Sequence, residues 1–324
     1  LLYHYLKLIA GIALRIFFRK IIINHPERLR EKGPLLLASN HPNSFLDSVL
    51  LNTLFEQPVW SLARGDVFKK PLFRKLLTSV KILPVYRTSE GVENLSENYK
   101  TFDACIELFK KNGLITIYSE GKCINEWHLR PLKKGTARLA IKAWEENIPL
   151  RVLPVGLNYS SFTLFGKNVF INFGEIITAE VIAAHSADGS RNLEFNNRLR
   201  NELEKAVYEI PATDNKKLQE KLSVPVSPFK KTVLFLPGWL GWLINVPVYA
   251  FARHNAISRL KEPGHYDSVV MGILLLFYPL YVLVITVALL LITHNWWSLV
   301  FPFVALFTAW AYVQVKPQLP NSPQ

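Results

Sequence analysis

Leu35-Leu-Leu-Ala-Ser39-Asn40-His41-Pro42-Asn43-Ser44-Phe45-Leu46-Asp47 changes character twice. Leu35–Ser39 is a short apolar run, too short for a core helix, and reads as a buried strand. Pro42-Asn43 marks a turn. Asn43 or Ser44 then suits a helix N-cap, and Asp47 falls near the start of that helix, where a carboxylate complements the dipole. Outward from this stretch the same alternation continues. Strand-like runs occupy Val59–Arg64, Ile82–Arg87, Leu114–Ser119, Leu150–Asn158 and Val169–Phe173. Helical patterns fill Glu93–Lys111, Gly135–Glu146 and Arg191–Tyr208. The expected fold class is α/β, a mostly parallel sheet covered by helices. Ligands of such sheets collect at the C-terminal ends of strands, which is where His41 falls.

His41 and Asp47 form the first candidate site. On one continuous helix their offset would put them on different faces. With a turn at Pro42-Asn43 between them, the carboxylate can hold one imidazole nitrogen and leave the other free to take a proton. The competing reading is a solvated loop histidine beside an aspartate that merely stabilises a helix end. Tyr118-Ser119-Glu120-Gly121-Lys122 is the second candidate, again directly after a strand. It is followed by Leu129-Arg130-Pro131-Leu132-Lys133-Lys134-Gly135, so an acid, a turn glycine and several cations cluster there. Arg64 and Arg87 end two further strands, and a strand-end guanidinium is shaped for bidentate phosphate contact.

The chain has 324 residues with a net charge of +13, half of them hydrophobic and 12% aromatic. Its mean hydropathy is +0.15. That composition excludes a disordered chain. The basic balance points to anionic partners, and the aromatic, apolar bias favours lipid over nucleic acid. Two cysteines, Cys105 and Cys123, exclude a disulfide framework and a multi-cysteine zinc site. The chain opens on Leu1 and its single methionine is Met271, so it is read as starting after the true N-terminus.

Three regions differ in composition. Residues 1–33 are read as an amphipathic helix at a membrane interface, because Lys7, Arg15, Arg19 and Lys20 interrupt the apolar run before it reaches spanning length. Residues 34–223 carry the α/β pattern. Residues 224–324 are a hydrophobic membrane region. Within it Val269–Ile292 carries no charge, and Trp296–Val313 is a second uncharged run with tryptophans near its ends. Val233–Ala252 holds Pro237, Gly238, Gly241 and Pro247, and is read as a re-entrant segment before one transmembrane hairpin, with three crossings as the alternative. The Thr293–Asn295 connection lacks Lys and Arg, whereas the other flanks are basic. With Val233–Ala252 not crossing, this places the α/β domain on the cytoplasmic side.

Taken in order, His41 to Asp47, Lys69 to Arg87, Tyr118–Lys122 with Leu132–Gly135, and Ile148–Val155 with Pro154 resemble the four blocks of the glycerophospholipid acyltransferase family. The resemblance covers about residues 34–210. It implies the glycerolipid acyltransferase fold and direct transfer of an acyl group from acyl-CoA or acyl carrier protein to a hydroxyl. His41 would then be the general base and Asp47 its orienter. Arg64, Arg87 and Lys122 would hold the acceptor phosphate, and Glu120 and Gly121 would shape that pocket. No metal or further cofactor is implied. Most members place the Asp five residues after the His. The longer spacing here resembles the fungal-type glycerol-3-phosphate/dihydroxyacetone-phosphate acyltransferases. The third block reads Tyr-Ser-Glu-Gly-Lys-Cys where the family usually has Phe-Pro-Glu-Gly-Thr-Arg, so Cys123 stands at the usual arginine. Lysophosphatidate and glycerol 3-phosphate both remain open as acceptors. Another lipid acceptor, or a non-catalytic lipid-binding protein, is the alternative. Trp127-His128 reads as a surface loop, Cys123 as a small turn residue, and His265 as structural.

Overall fold

The computed structural model describes residues 2–85, 95–182, 188–260 and 263–319. Leu35–Ser39 (β2) is buried at every position, as an inner strand of a two-faced sheet must be. Its neighbours are Leu114–Tyr118 (β5) and Arg151–Tyr159 (β6), both parallel to it. Val59–Arg64 (β3) and Ile82–Val85 (β4) extend the sheet on the β5 side. Lys167–Phe173 (β7) pairs antiparallel with β6. The expected strands are therefore present, with the Ile82–Arg87 run described only as far as Val85.

The period-two alternation of β2 divides two cores. Leu35 and Leu37 face one side with Leu46, Leu50 and Phe55. Leu36 and Ala38 face the other, with Phe109, Ala140 and Phe195. On the first side lies Ser44–Leu54 (α2), and on the second Leu95–Lys110 (α4), Gly135–Glu145 (α5) and Asp188–Ala206 (α7). The register sets Ser39 opposite both Tyr118 and Val155. The residues that follow β2 and β5 therefore emerge side by side at one edge.

The N-terminal expectation is corrected. A helix forms only over Leu2–Phe17 (α1), and Phe18–Ile23 is an edge strand, β1, parallel to β7. Isoleucine at 21, 22 and 23 favours a pleated partner over continued helix. Arg19, expected at the headgroups, is buried, and its carbonyl accepts from Gln314 Nε2.

The chain does not break within Val233–Ala252 as a re-entrant segment would. Pro228–Arg259 (α9) is one continuous helix through both prolines. Tyr266–Thr293 (α10) follows, and Phe301–Val315 (α11), after a 3₁₀ turn, is the last helix among the described residues. Pro228–Arg259, Tyr266–Thr293 and Trp296–Val315 are each long and apolar enough to cross a membrane. Their pattern is inverted relative to the domain. Small residues such as Gly241, Ala305 and Ala311 face inward, while Leu276, Leu283, Leu291 and Trp297 stand exposed. The start of α9 is tied to α11, where Lys230 Nζ donates to Gln314 Oε1 at 2.7 Å, and towards its other end Ala252 and Ala256 are buried in the core that holds Phe17 and Leu46.

At Gly241 a Cβ would sit 1.9 Å from the Thr308 carbonyl oxygen. Gly241→Leu is expected to lower stability by at least about 1–3 kcal/mol, the cost of overpacking. A fall in the thermal midpoint of detergent-solubilised protein checks it; an unchanged midpoint would mean that α9 and α11 do not approach this closely.

Candidate active site

Asn40 continues β2 with its side chain. Its Nδ2 donates to the Leu157 carbonyl at 3.0 Å and its Oδ1 accepts from Leu157 N–H at 2.8 Å. This fixes where His41 starts. The chain then turns through Ser44, whose φ of 50° lies in the left-handed region, and enters α2. Asn43 occupies the N-cap position but makes no side-chain cap. Asp47 reaches back instead, its Oδ2 accepting from Asn43 N–H at 2.9 Å.

The turn brings His41 onto Asp47, as the spacing required. Nδ1 lies 2.8 Å from Asp47 Oδ2. Asp47 is fully buried, whereas 17% of the His41 side chain is exposed. Tyr159 donates its hydroxyl to Asp47 Oδ1 at 2.7 Å. Burial, together with the Asp47 charge, pushes the Tyr159 hydroxyl well above the ordinary phenol value, which keeps it a donor. Three donors thus converge on one carboxylate. A buried carboxylate that accepts from Nδ1–H fixes the tautomer and leaves the Nε2 lone pair free. The ring of Tyr118 stacks on the imidazole at 3.8 Å and 14°. The Tyr118 hydroxyl lies 2.8 Å from Ser48 Oγ, and burial followed by the Asp47 charge pushes it upward as well. The imidazole is therefore held at one nitrogen and on one face. Among the described residues, Nε2 has no hydrogen-bond partner.

Glu120 is placed differently from Arg64 and Lys122. It is buried, and its two oxygens accept backbone N–H groups of His41 and Arg130, each at 2.9 Å. Burial pushes its carboxyl up, opposed by those two bonds. It ties the His41 turn to the Arg130 loop. Gly121 follows at φ 69°, where a Cβ would meet Lys133 Cγ at 3.1 Å. Lys122 is exposed on the same loop. Arg64 is exposed at the end of β3 and bonds Asp66 Oδ2 at 2.5 Å. Arg87 lies outside the described residues. The structure therefore joins His41, Asp47 and Glu120 in one network and leaves Lys122 exposed on the Glu120 loop and Arg64 exposed at the end of β3.

Glu120→Gln is expected to be damaging despite its equal size. An amide offers one oxygen and one NH₂, so one of the two backbone N–H groups would face a donor. Leaving that buried donor unpaired costs about 1–3 kcal/mol. A thermal midpoint indistinguishable from wild type would show that the carboxylate is not a strut.

Several residues were read too blandly in the sequence. Trp127 is buried rather than in a surface loop, its Nε1–H donating to the Tyr159 carbonyl at 2.6 Å. Cys123 Sγ accepts from Ser44 N–H at 2.9 Å. His265 Nδ1 lies 2.5 Å from Ser44 Oγ. Tyr159, Asp267 and Lys167 were missed. A single tyrosine at the end of a strand carries no signal, and Asp267 is separated from the turn by most of the chain. A cavity of about 690 Å³ lies between α1 and the C-terminal helices, lined by Ile12, Phe17, Trp242, Met271, Leu274 and Tyr278 among others.

A mostly parallel sheet carrying a carboxylate-bonded imidazole at the C-terminal ends of its strands is an α/β arrangement capable of general-base chemistry. Residues 20–158 match the Acyltransferase family model, which supports the resemblance to the glycerophospholipid acyltransferase family. It is 24% identical over 170 residues to the chloroplastic 1-acyl-sn-glycerol-3-phosphate acyltransferase BAT2 of Brassica napus, covering 52% of this chain and 46% of that protein. It is 29% identical over 171 residues to the human 1-acyl-sn-glycerol-3-phosphate acyltransferase beta, covering 52% and 56%. A third relative, the 1-acyl-sn-glycerol-3-phosphate acyltransferase of Borreliella burgdorferi, is 25% identical over 155 residues, covering 48% and 57%. The chain spans about half the length of the curated relatives it matches. The 1-acyl-sn-glycerophosphate acyltransferase PlsC of Thermotoga maritima has a solved structure that aligns with a TM-score of 0.44 at 17% identity, over 62% of this chain and 78% of that one.

Proposed function

We propose that this chain is a membrane-bound O-acyltransferase that moves a fatty acyl group from a thioester to the free hydroxyl of 1-acyl-glycerol 3-phosphate. The observation that carries the proposal is the fully buried Asp47 carboxylate 2.8 Å from His41 Nδ1. The names of the relatives favour lysophosphatidate as acceptor over glycerol 3-phosphate.

In the proposed reaction, His41 Nε2 takes the acceptor hydroxyl proton as the oxygen attacks the thioester carbonyl. Asp47 steadies the imidazolium that forms. The tetrahedral intermediate collapses, the carbon–sulfur bond breaks, and Nε2–H returns its proton to the departing thiolate. The products are an ester and a free thiol of coenzyme A or acyl carrier protein. No enzyme nucleophile, metal or further cofactor takes part in this scheme. Arg64, Lys122 and Arg87 are the proposed phosphate contacts, by charge and by their places after strands. The apolar cavity between α1 and the C-terminal helices offers room for an acyl chain. With α9 taken as lying along the domain and not crossing, the hairpin α10–α11 is the proposed membrane anchor and the site is on the cytoplasmic face, because the Thr293–Asn295 turn lacks basic residues.

The test is acyl transfer by purified, detergent-solubilised protein. Lysophosphatidate and glycerol 3-phosphate are offered in parallel, each with acyl-CoA and with acyl carrier protein, beside a His41→Ala control. Product from lysophosphatidate that depends on His41 supports the proposal. Product from glycerol 3-phosphate alone reassigns the acceptor. Folded protein that uses neither acceptor with either donor overturns the assignment.

A further inference from the structure

Residues 264–268, at and just before the start of α10, reach the His41 turn at three points and the neighbouring Cys123 at a fourth. Asp267 Oδ2 accepts from Asn43 Nδ2 at 2.6 Å. Ser268 Oγ accepts from Leu46 N–H at 3.2 Å. His265 Nδ1 meets Ser44 Oγ. The Gly264 carbonyl lies 3.7 Å from Cys123 Sγ, the atom that accepts from Ser44 N–H. A segment read from sequence as membrane anchor thus clamps the turn between the base and its orienter.

Asp267 is the centre of this clamp. It is fully buried and ion-paired with Lys167 of β7, also fully buried. Packing alone does not call for such a pair, since apolar replacements of buried ion pairs are often neutral or stabilising. The carboxylate does offer a charge-assisted acceptor for Asn43, stronger and more directional than a neutral one. Asn43 is then held at two points. Its side chain is tied to Asp267, and its N–H donates to the same Asp47 oxygen that meets His41 Nδ1. The next residue, Ser44, sits at φ 50°, a conformation that persists in a non-glycine residue only where its surroundings impose it.

We infer that Asp267, held by Lys167, is a positioning residue for the His41–Asp47 pair and acts through Asn43. The inference rests on the reading of His41 as general base. It makes the C-terminal helices part of the catalytic apparatus: the α/β domain supplies the reacting groups and α10 sets their geometry. Asp267 does not touch substrate in this scheme, so its loss should lower turnover without weakening acceptor binding.

The test compares two double variants of the full chain. Lys167→Met with Asp267→Asn removes both charges but keeps an oxygen for Asn43. Lys167→Met with Asp267→Leu removes the charges and the acceptor. The Asn-containing variant is expected to keep most of the wild-type kcat. The Leu-containing variant should fold but melt lower than the Asn-containing one, because Asn43 Nδ2 is left unpaired, keep the KM for lysophosphatidate, and lose about 10- to 100-fold in kcat, the scale of an ångström misplacement. Asn43→Ala removes the same bond from the other side with the ion pair intact, and so covers the case in which the Leu variant does not fold. It should show the same loss in kcat alone, and adding it to the Leu variant should cost nothing more. Equal kcat in the Asn and Leu variants, a loss that appears in KM, or an Asn43→Ala enzyme as fast as wild type would each overturn the inference. Wild-type protein that transfers no acyl group would instead sink the proposed reaction, which the same assay reports first.

Discussion

Replacing His41 by alanine is expected to lower the rate of acyl transfer by about 10²–10⁴-fold, the contribution of a well-placed general base. The protein should remain folded. Alanine keeps the backbone N–H that donates to Glu120. Asp47 loses one of three donors but retains Asn43 N–H and the Tyr159 hydroxyl, so its charge is not left bare. The imidazole is partly exposed, and its removal opens no sealed cavity. The loss should fall on kcat, because no step of acceptor binding is assigned to Nε2. The measurement is the ratio of initial rates at saturating donor and acceptor, with the thermal midpoint recorded beside it. A variant within about tenfold of wild type would remove the base from the mechanism, since the lower bound for such a group is about 10²-fold.

The interior of the sheet was legible in the sequence because its signals are local. Leu35–Ser39 is an apolar run that ends at a Pro-Asn turn, and those few residues suffice to place a strand, a turn and a helix start. The His41–Asp47 contact followed from the same local geometry. The edge strand Phe18–Ile23 was not legible. Arg19 and Lys20 gave the stretch the character of an interfacial helix, and only its pairing with β7, far along the chain, makes it a strand. Continuity of α9 was hidden for a related reason. Pro237 and Pro247 weaken a helix in water, but neighbouring helices can restore the freed backbone groups. Lys230, one of the charges at the start of that helix, anchors it to Gln314.

The least legible part was the support of the site. Glu120 reads as a pocket carboxylate beside a glycine and a lysine, yet both its oxygens go to backbone N–H groups. Tyr159 ends a strand as an ordinary aromatic, and only tertiary pairing turns its hydroxyl toward Asp47. Asp267 belongs to the first turn of a helix whose composition speaks of membrane. Polar residues that serve another residue's geometry leave no spacing rule in the chain. They can be found only once the fold has closed over them.

Asp47→Asn should be nearly as damaging as loss of His41, with about a 10³–10⁴-fold fall in kcat, because the orienting carboxylate sets both tautomer and charge. Asparagine fits the space, but Asn43 N–H and His41 Nδ1 both address the same oxygen. If the amide oxygen stays there, its NH₂ faces the Tyr159 hydroxyl, which can rotate to accept, and the fold survives. The imidazolium then forms without a negative partner. If the amide flips, NH₂ confronts Asn43 N–H and drives the imidazole to the tautomer whose Nε2 carries the proton, so the base is lost. Either arrangement disables the reaction while keeping the buried donors largely paired. Asp47→Ala would instead strand Asn43 N–H and the Tyr159 hydroxyl at about 1–3 kcal/mol each and should lower the thermal midpoint. The discriminating measurement is the double variant. Residues that act as a unit show strongly non-additive losses, so His41→Ala with Asp47→Asn should be no slower than His41→Ala alone. If the two losses multiplied, Asp47 would be serving some group other than His41, and the base–orienter pair would have to be abandoned.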